Sequence, residues 1–336
     1  MAINKRIFYA IKAAGIAECG TNSFATAHGV QSAGLNTNFN LESVFELGQI
    51  EIYENIEGLP SVEATIEKVL DGYPLIYHLA TKGATSATLG GRSNKRGTLA
   101  LAFFSDDQDA SSGTAISEVV CSGMYINNLT YTFPVQGNCT ESVTMVGNNK
   151  LWYTGGTYDF NPAFDNLDVP LATGGIQRRE DVLLGSHTSL FPTQIPGVSS
   201  SGTVELQPAG DAYKVHLQRV QVSTNLGRTE LLELGRRNPY HRAADFPVRV
   251  NCEIEIISTL GDLINAVDTS DNLINQTIRI WTRDGMKIDL GTKNKLQSVT
   301  MGGANAQENG GNDTIVYSYQ NFSKMDSTHP ADPSGL

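Results

Sequence analysis

One stretch of this sequence occurs twice, and an internal repeat constrains the fold more strongly than any local pattern. The first copy runs from Thr37 to Glu67 and the second from Thr224 to Glu255. At a constant separation of 187 positions, seven of the 24 residues from 37 to 60 are identical, and one insertion then moves the separation to 188. Because this separation is about half of the 336 residues, the repeat predicts a duplicated domain.

The chain length agrees with this prediction, since single domains commonly hold about 150 residues. We therefore assign residues 1–165 to a first domain and residues 166–336 to a second. The stretch at about 155–202 is rich in Gly, Pro and Ser, which is typical of a junction.

The predicted elements follow the same order in both halves: strand, long excursion, strand, short helix, strand and hairpin. Glycine is abundant, with 33 residues, and only 18% of the chain is charged, which favours a mainly β fold with many turns. We expect two tandem β-sandwich or barrel domains, each with a short helix and a long inter-strand loop. Alternation and turn residues predict strands at 30–38, 62–69, 98–104, 118–133, 140–146, 216–225, 247–258, 295–301 and 314–319, and helices at 74–81 and 262–267. Residues 277–288 are predicted as one strand or as a hairpin that turns at residues 283–285.

The two excursions occupy residues 39–59 and 226–245. The first carries a mixed signal, because NLESVFELG has helical spacing after a possible Asn40 cap while QIEIYE alternates like a strand. The excursions also differ in charge. The first has Glu42, Glu46, Glu51, Glu54 and Glu57, and the second has Arg228, Arg236, Arg237, His241 and Arg242.

Two interpretations of these charges stay open. Both excursions could be solvated loops. Alternatively, unlike excursions of neighbouring domains pair across an interface, where opposite charge sets register and partner choice. A chain that alternates acidic and basic copies would join head to tail and close into a ring.

Composition excludes several function classes. A net charge of −11 argues against a nucleic-acid-binding surface, although DNA could pass a negative wall without adhering to it. No stretch approaches 18 apolar residues, so no membrane helix is expected. The N-terminal apolar run at 7–14 is interrupted by Lys12 and does not predict a secretory signal. Four cysteines without CxxC spacing, Cys19, Cys121, Cys139 and Cys252, are expected to be free thiols.

Motifs of catalysis and metal binding are missing from the sequence. The six histidines are scattered, and neither HExxH nor GxSxG occurs. The loop at 89–97 does not satisfy the phosphate-loop pattern, and Asp106, Asp107 and Asp109 lack calcium-loop spacing. We expect no catalytic residue, no cofactor and no metal, and therefore no enzyme.

Extended parts of both halves resemble the major tail tube proteins of tailed bacteriophages. The resemblance lies in residues 28–81, 131–150, 223–256 and 290–299. It implies tube domains that are β-sandwiches flanked by a helix, whose strands join those of neighbours in a continuous β-barrel around a channel. Six domains would form a ring, rings would stack, and the long loop of each domain would contact an adjacent ring or subunit.

This chain departs from the family pattern because it has two tube domains instead of one. The resemblance therefore implies homotrimeric, pseudo-hexameric rings. The expected function is that of a structural virion protein, which forms the hollow tail tube through which DNA is ejected. The expected partners are further copies, other tail proteins such as sheath, baseplate or terminator, and viral DNA in the lumen without specific binding. The expected location is the virion tail, after assembly in the host bacterial cytoplasm, with no membrane contact.

The candidate interface residues lie in the two excursions. They are Glu46, Leu47, Gly48, Tyr53, Pro60, Arg228, Glu233, Leu234, Gly235, Arg236, Arg237, Tyr240 and Pro247. The alternative is a non-enzymatic β-sandwich binding module of a phage tail tip or fibre. It would bind host glycan through exposed aromatic residues beside acidic ones and would not self-assemble. The two tryptophans, Trp152 and Trp281, do not suggest such a platform.

Overall fold

The computed structural model is mainly β. It describes residues 10–18, 24–48, 50–81, 88–105, 108, 114–157, 175–184, 189–204, 215–258, 261–264, 274–302 and 314–328. The strands of the first half are β1 (Ala10–Glu18), β2 (Ala25–Thr26), β3 (Val30–Asn38), β4 (Leu41–Val44), β5 (Glu54–Glu57), β6 (Ser61–Val69), β7 (Gly97–Phe104), β8 (Ser117–Pro134), β9 (Thr140–Gly147) and β10 (Leu151–Thr154). Two short helices are α1 (Ile76–Ala80) and α2 (Leu89–Arg92).

The second half begins with a 3-10 turn at Arg179–Asp181. Its strands are β11 (Val215–Asn225), β12 (Arg228–Leu231), β13 (His241–Ala244), β14 (Arg249–Ser258), β15 (Arg279–Trp281), β16 (Lys287–Asp289), β17 (Lys295–Met301), β18 (Thr314–Phe322) and β19 (Asp326–Thr328).

Eight strands form one antiparallel sheet, which we call the main sheet. Its order is β3-β6-β9-β8-β11-β14-β18-β17, so the first four strands come from the first half and the last four from the second. Strand β8 joins the halves because it pairs with β9 on one side and with β11 on the other. The free edges of the main sheet are β3 and β17, each with one partner strand among the described residues.

The 18-residue strand β8 also belongs to a second sheet. Its N-terminal part pairs with β7 and β10, and the order continues from β7 to β1 and β2. In the second half, a small sheet of β15, β16 and β19 takes the equivalent place. Alternating apolar residues of the main sheet pack against both layers. One hydrophobic core therefore contains Ile66 and Leu101 of the first half together with Ile254 and Ile288 of the second.

Register irregularities recur at matching places in the two halves. Strand β3 has an extra residue, Gln31, opposite β6, and β11 has Gln218 opposite β14, 187 positions later. Strand β8 has an extra residue, Asn127, opposite β9, and β17 has Gln297 opposite β18. A bulge fixes local twist and register, so the two four-stranded halves have the same internal geometry.

A buried carboxylate fixes α1 onto the main sheet. Glu141 of β9 is fully buried and accepts hydrogen bonds from the N–H groups of Ile76 (2.7 Å) and Tyr77 (3.1 Å), and from the Tyr131 hydroxyl (3.2 Å). Burial raises its pKa, and the two backbone N–H groups oppose that rise. The carboxylate thus satisfies N–H groups that no helical carbonyl can reach.

Most strand predictions are confirmed, including 30–38, 62–69, 98–104, 118–133 and 216–225. The helix at 74–81 is confirmed as α1. The prediction of a helix at 262–267 is wrong for residues 262–264, which have no regular structure, because the Asp262 side chain accepts the Ile264 N–H and Leu263 has a φ of 55°. Residues 265–267 lie outside the described part.

The predictions for the excursions, the cysteines and membrane helices can be compared with the structure only where it describes the residues concerned. The excursions are β-hairpins instead of loops or helices. Cys121, Cys139 and Cys252 are free and buried, while Cys19 lies outside the described residues. No helix in the described ranges is long and apolar enough to cross a membrane. The domain boundary at 165/166 stays a prediction.

Replacement of Glu141 by Gln should remove a pH-dependent part of stability. Because the pKa of Glu141 is raised in the folded state, its contribution is complete at low pH and is lost as pH rises above the ordinary value of 4.5. Glutamine cannot ionise, and its single amide oxygen replaces only one of the two carboxylate oxygens that accept the Ile76 and Tyr77 N–H groups, which adds a cost that does not depend on pH. In thermal melts from pH 4.5 upward, Glu141→Gln should therefore gain stability relative to the unmodified chain. A constant difference at all pH values would contradict this account.

Candidate assembly interface

The first excursion is a two-stranded hairpin that projects from the end of the main sheet. We call residues 39–60 the first hairpin. Strands β4 and β5 pair with each other and with no other described strand. The sequence pattern of this stretch indicated both helix and strand, and we predicted a long inter-strand loop. Gly48 has a φ of 90° and places a turn at the hairpin tip.

The second hairpin, residues 226–247, repeats this geometry. The Tyr240 N–H donates to the Leu231 carbonyl at 3.1 Å, and the Tyr53 N–H donates to the Val44 carbonyl at 3.0 Å. Each pair lies 187 positions from the other. Gly235 also matches Gly48, with a φ of 83°. The shared residues of the repeat therefore build the same turn twice.

Both hairpins expose apolar side chains to an unusual degree. Leu47 and Leu234 at the two tips are fully exposed. The exposed apolar residues of the first hairpin are Phe39, Leu41, Phe45, Leu47, Ile50, Ile52, Tyr53 and Ile56, and those of the second are Leu232, Leu234, Tyr240 and Phe246. Contiguous exposed apolar surface of this kind marks sites of protein–protein contact.

Two arginines anchor the second hairpin to the first half. The Arg228 guanidinium donates to the carbonyls of Ser93 (2.7 Å) and Ile126 (3.0 Å) and lies 5.2 Å from the Tyr125 ring. Burial lowers the pKa of Arg228 to about 10, so the group stays charged at neutral pH. Arg242 is buried and contacts Glu230 at 2.5 Å and Asn148 at 3.1 Å. The base of this hairpin is therefore held rigidly.

The two hairpins touch each other within one chain. Arg237 of the second hairpin lies 3.5 Å from the Glu57 carboxylate, and both side chains are exposed. Its guanidinium also donates to the Gly58 carbonyl at 3.4 Å. An exposed ion pair contributes little free energy. The opposite charges predicted from the sequence thus meet, but at the side of the hairpins and not at their tips.

The open face of the main sheet is polar. Among the described strand residues it carries hydroxyl and amide side chains together with four glutamates and three cations, Arg219, Arg249 and Lys295. Arg219 lies 3.0 Å from Glu255 and 4.0 Å from Glu253, while Glu63 and Glu67 have no cation within salt-bridge distance among the described groups. The neutral members include Asn36, Thr65, Asn128, Thr130, Thr132, Ser142, Thr144, Gln221, Ser223, Asn251, Ser298, Thr300, Ser318 and Gln320.

The predicted interface residues occupy three kinds of position. Glu46, Leu47, Gly48 and Tyr53 lie toward the tip of the first hairpin, and Glu233, Leu234, Gly235, Arg236, Arg237 and Tyr240 lie toward that of the second. Pro60 and Pro247 lie at the bases, directly before β6 and β14. Arg228 is bonded inside the chain, so its guanidinium is not available at the tip.

Sequence reasoning missed the apolar residues between the charges, above all Phe39, Leu41 and Ile50. These apolar residues alternate with glutamates, and this alternation could have indicated an exposed strand. Both faces are exposed because the hairpin does not pack against the hydrophobic core. Among the described residues, no group of three or more His, Cys, Asp or Glu side chains could hold a metal. No family model matches this sequence, and no curated protein matches it.

Replacement of Arg228 by Ala should destabilise the chain by about 1.5–3 kcal/mol, because three carbonyl acceptors would lose a charged donor. Arg237→Ala is the matched control, since it removes an exposed ion pair worth less than about 1 kcal/mol. Urea unfolding of both variants measures the difference. Equal losses would contradict the anchoring role of Arg228.

Proposed function

We propose that this chain is a structural, non-enzymatic virion protein that polymerises into the hollow tail tube of a bacteriophage. The main sheet carries the proposal. It is built of two four-stranded halves with matching bulges, joined side by side, and it ends in two free edges, β3 and β17. Such a unit can add copies of itself in the same way that its own halves are joined.

Ring closure follows from this geometry. The junction between the halves is head to tail, because β8 of one half pairs with β11 of the other. A head-to-tail junction repeated around an axis closes when the rotation fits. Three chains would supply six four-stranded halves, and the closed barrel would leave no exposed strand edge. We therefore propose homotrimeric rings with pseudo-sixfold symmetry and two tandem tube domains per chain.

The polar face supports a channel for DNA. If this face lines the lumen, phosphate groups meet mainly hydroxyls and amides, and the three cations Arg219, Arg249 and Lys295 are outnumbered by four glutamates, two of which contact Arg219. Such a wall attracts a polyanion weakly, so DNA can slide past it. The apolar hairpin tips, Leu47 and Leu234, would contact the next ring, and other tail proteins such as sheath, baseplate or terminator would bind the tube ends or surface.

The alternative is a non-enzymatic binding module of a tail tip or fibre. It has support from one exposed aromatic residue, Trp152, whose ring centroid lies 5.4 Å from that of the half-buried Phe103. Electron microscopy of the purified protein separates the two functions. Stacked rings with a central hole support the tube, and isolated monomers at high concentration favour the binding module.

Substitution at a hairpin tip should impair stacking without unfolding the chain. Leu47→Ser removes a fully exposed leucine whose burial in a contact would contribute about 1.5–3 kcal/mol, so the critical concentration for tubes should rise about tenfold or more. Tyr240→Ala should act in the same direction. Sedimentation measures tube formation, and thermal melting gives the control for folding. Normal tubes from both variants would argue against the hairpins as stacking contacts.

A further inference from the structure

We propose that the junction between copies repeats the β8–β11 junction inside the chain, residue for residue, with β17 of one copy pairing with β3 of the next. This inference rests on the proposed ring and specifies its contact. The within-chain junction serves as the template, because its two strands have equivalents at the free edges. Strand β11 corresponds to β3, and β8 corresponds to β17.

The matched bulges set the register. Measured from the bulge at Asn127 in β8 and at Gln297 in β17, Thr130 corresponds to Thr300 and Asn128 corresponds to Ser298. In β11, residues 187 positions after Asn36 and Asn38 are Ser223 and Asn225.

Within the chain, Ser223 pairs with Thr130 and Asn225 pairs with Asn128. The copy-to-copy junction should therefore pair Asn36 with Thr300 and Asn38 with Ser298, in antiparallel orientation.

Exposure at equivalent positions points to the same contact. Leu226 follows β11, is 1% exposed, and its N–H donates to the Asn127 carbonyl at 2.8 Å. The equivalent residue after β3 is Phe39, which is 57% exposed in the isolated chain. In the proposed junction Phe39 takes the place of Leu226, and its N–H faces the Gln297 carbonyl of the neighbour. A large exposed aromatic residue beside a free edge is thereby buried.

The two junctions differ in chemistry around this shared backbone. At the within-chain junction, Arg228 donates to the Ile126 carbonyl of β8, and Arg242 donates to the Asn148 side chain. The residue equivalent to Arg228 is Leu41, and the residue equivalent to Asn148, which follows β9, is Phe322, the last residue of β18. Leu41 is 66% exposed and Phe322 is 57% exposed in the isolated chain. The junction between copies is therefore apolar where the internal one uses arginine.

Cysteine pairs test this register directly. Asn36→Cys with Thr300→Cys places two exposed residues opposite each other, where Cβ atoms of paired strands lie about 4.5–5.5 Å apart and an oxidised pair can form a disulfide with a small adjustment. The matched control is Asn36→Cys with Ser298→Cys, which are diagonal in the proposed register, about 7–8 Å apart, and too distant. The single-cysteine variants report any linkage through the native thiols.

The expected result is covalent dimers and trimers from the opposite pair after mild oxidation, and monomers from the diagonal pair, on a denaturing gel without reductant. If rings form but the diagonal pair cross-links, or neither pair does, this register is overturned and the tube proposal is unaffected. If the unmodified chain forms no rings at any concentration, the proposed function fails and this inference fails with it.

A second variant tests the burial of Phe39. Phe39→Ser should leave the melting temperature of the monomer unchanged, because the side chain is exposed there, and should weaken ring formation at least tenfold. Ile116→Ser removes another exposed apolar residue, at a site away from both edges, and should assemble normally. Equal behaviour of the two variants would contradict the proposed position of Phe39.

Discussion

The main sheet depends on backbone hydrogen bonding between strands, and each of its six inner strands has a partner strand on both sides. Inner strands such as β14 pair on both sides, whereas β3 and β17 each pair on one side among the described residues. Unpaired N–H and C=O groups along a strand are a template for another strand. Natural edge strands are usually short or charged, but β3 has nine residues without one charged side chain. The open edges therefore favour association with further copies.

The two halves share backbone geometry but not chemistry. In the first half, Glu141 and Lys68 are buried beside α1, and Lys68 is held by Asp71 at 2.5 Å and by the His28 carbonyl at 2.7 Å. The equivalent residues in the second half are Ile315 and Ile256, which lie in the apolar core. The first half thus binds α1 through buried polar groups, whereas the second half packs the small sheet of β15, β16 and β19 against apolar residues.

The sequence predicted the strands of the main sheet well because each has one buried face, and alternation records that face directly. Sequence patterns did not predict the structure of segments that do not pack against the hydrophobic core. In the first hairpin, both faces are exposed, so helical spacing in Asn40–Gly48 had no packing to support it. The helix prediction that began at Asp262 was wrong for residues 262–264, because an aspartate that favours a helix N-cap also favours a local turn. The internal role of Arg228 could not be predicted, since its acceptors Ser93 and Ile126 are distant in sequence.

We propose that the two linked halves of one chain replace two subunits of a six-domain ring. Native mass spectrometry of isolated rings gives the number of chains per ring, and electron micrographs give the rotational symmetry. Each ring should contain three chains of 36.2 kDa and show a pseudo-sixfold outline. Six chains per ring, or a filament that never closes, would contradict this proposal.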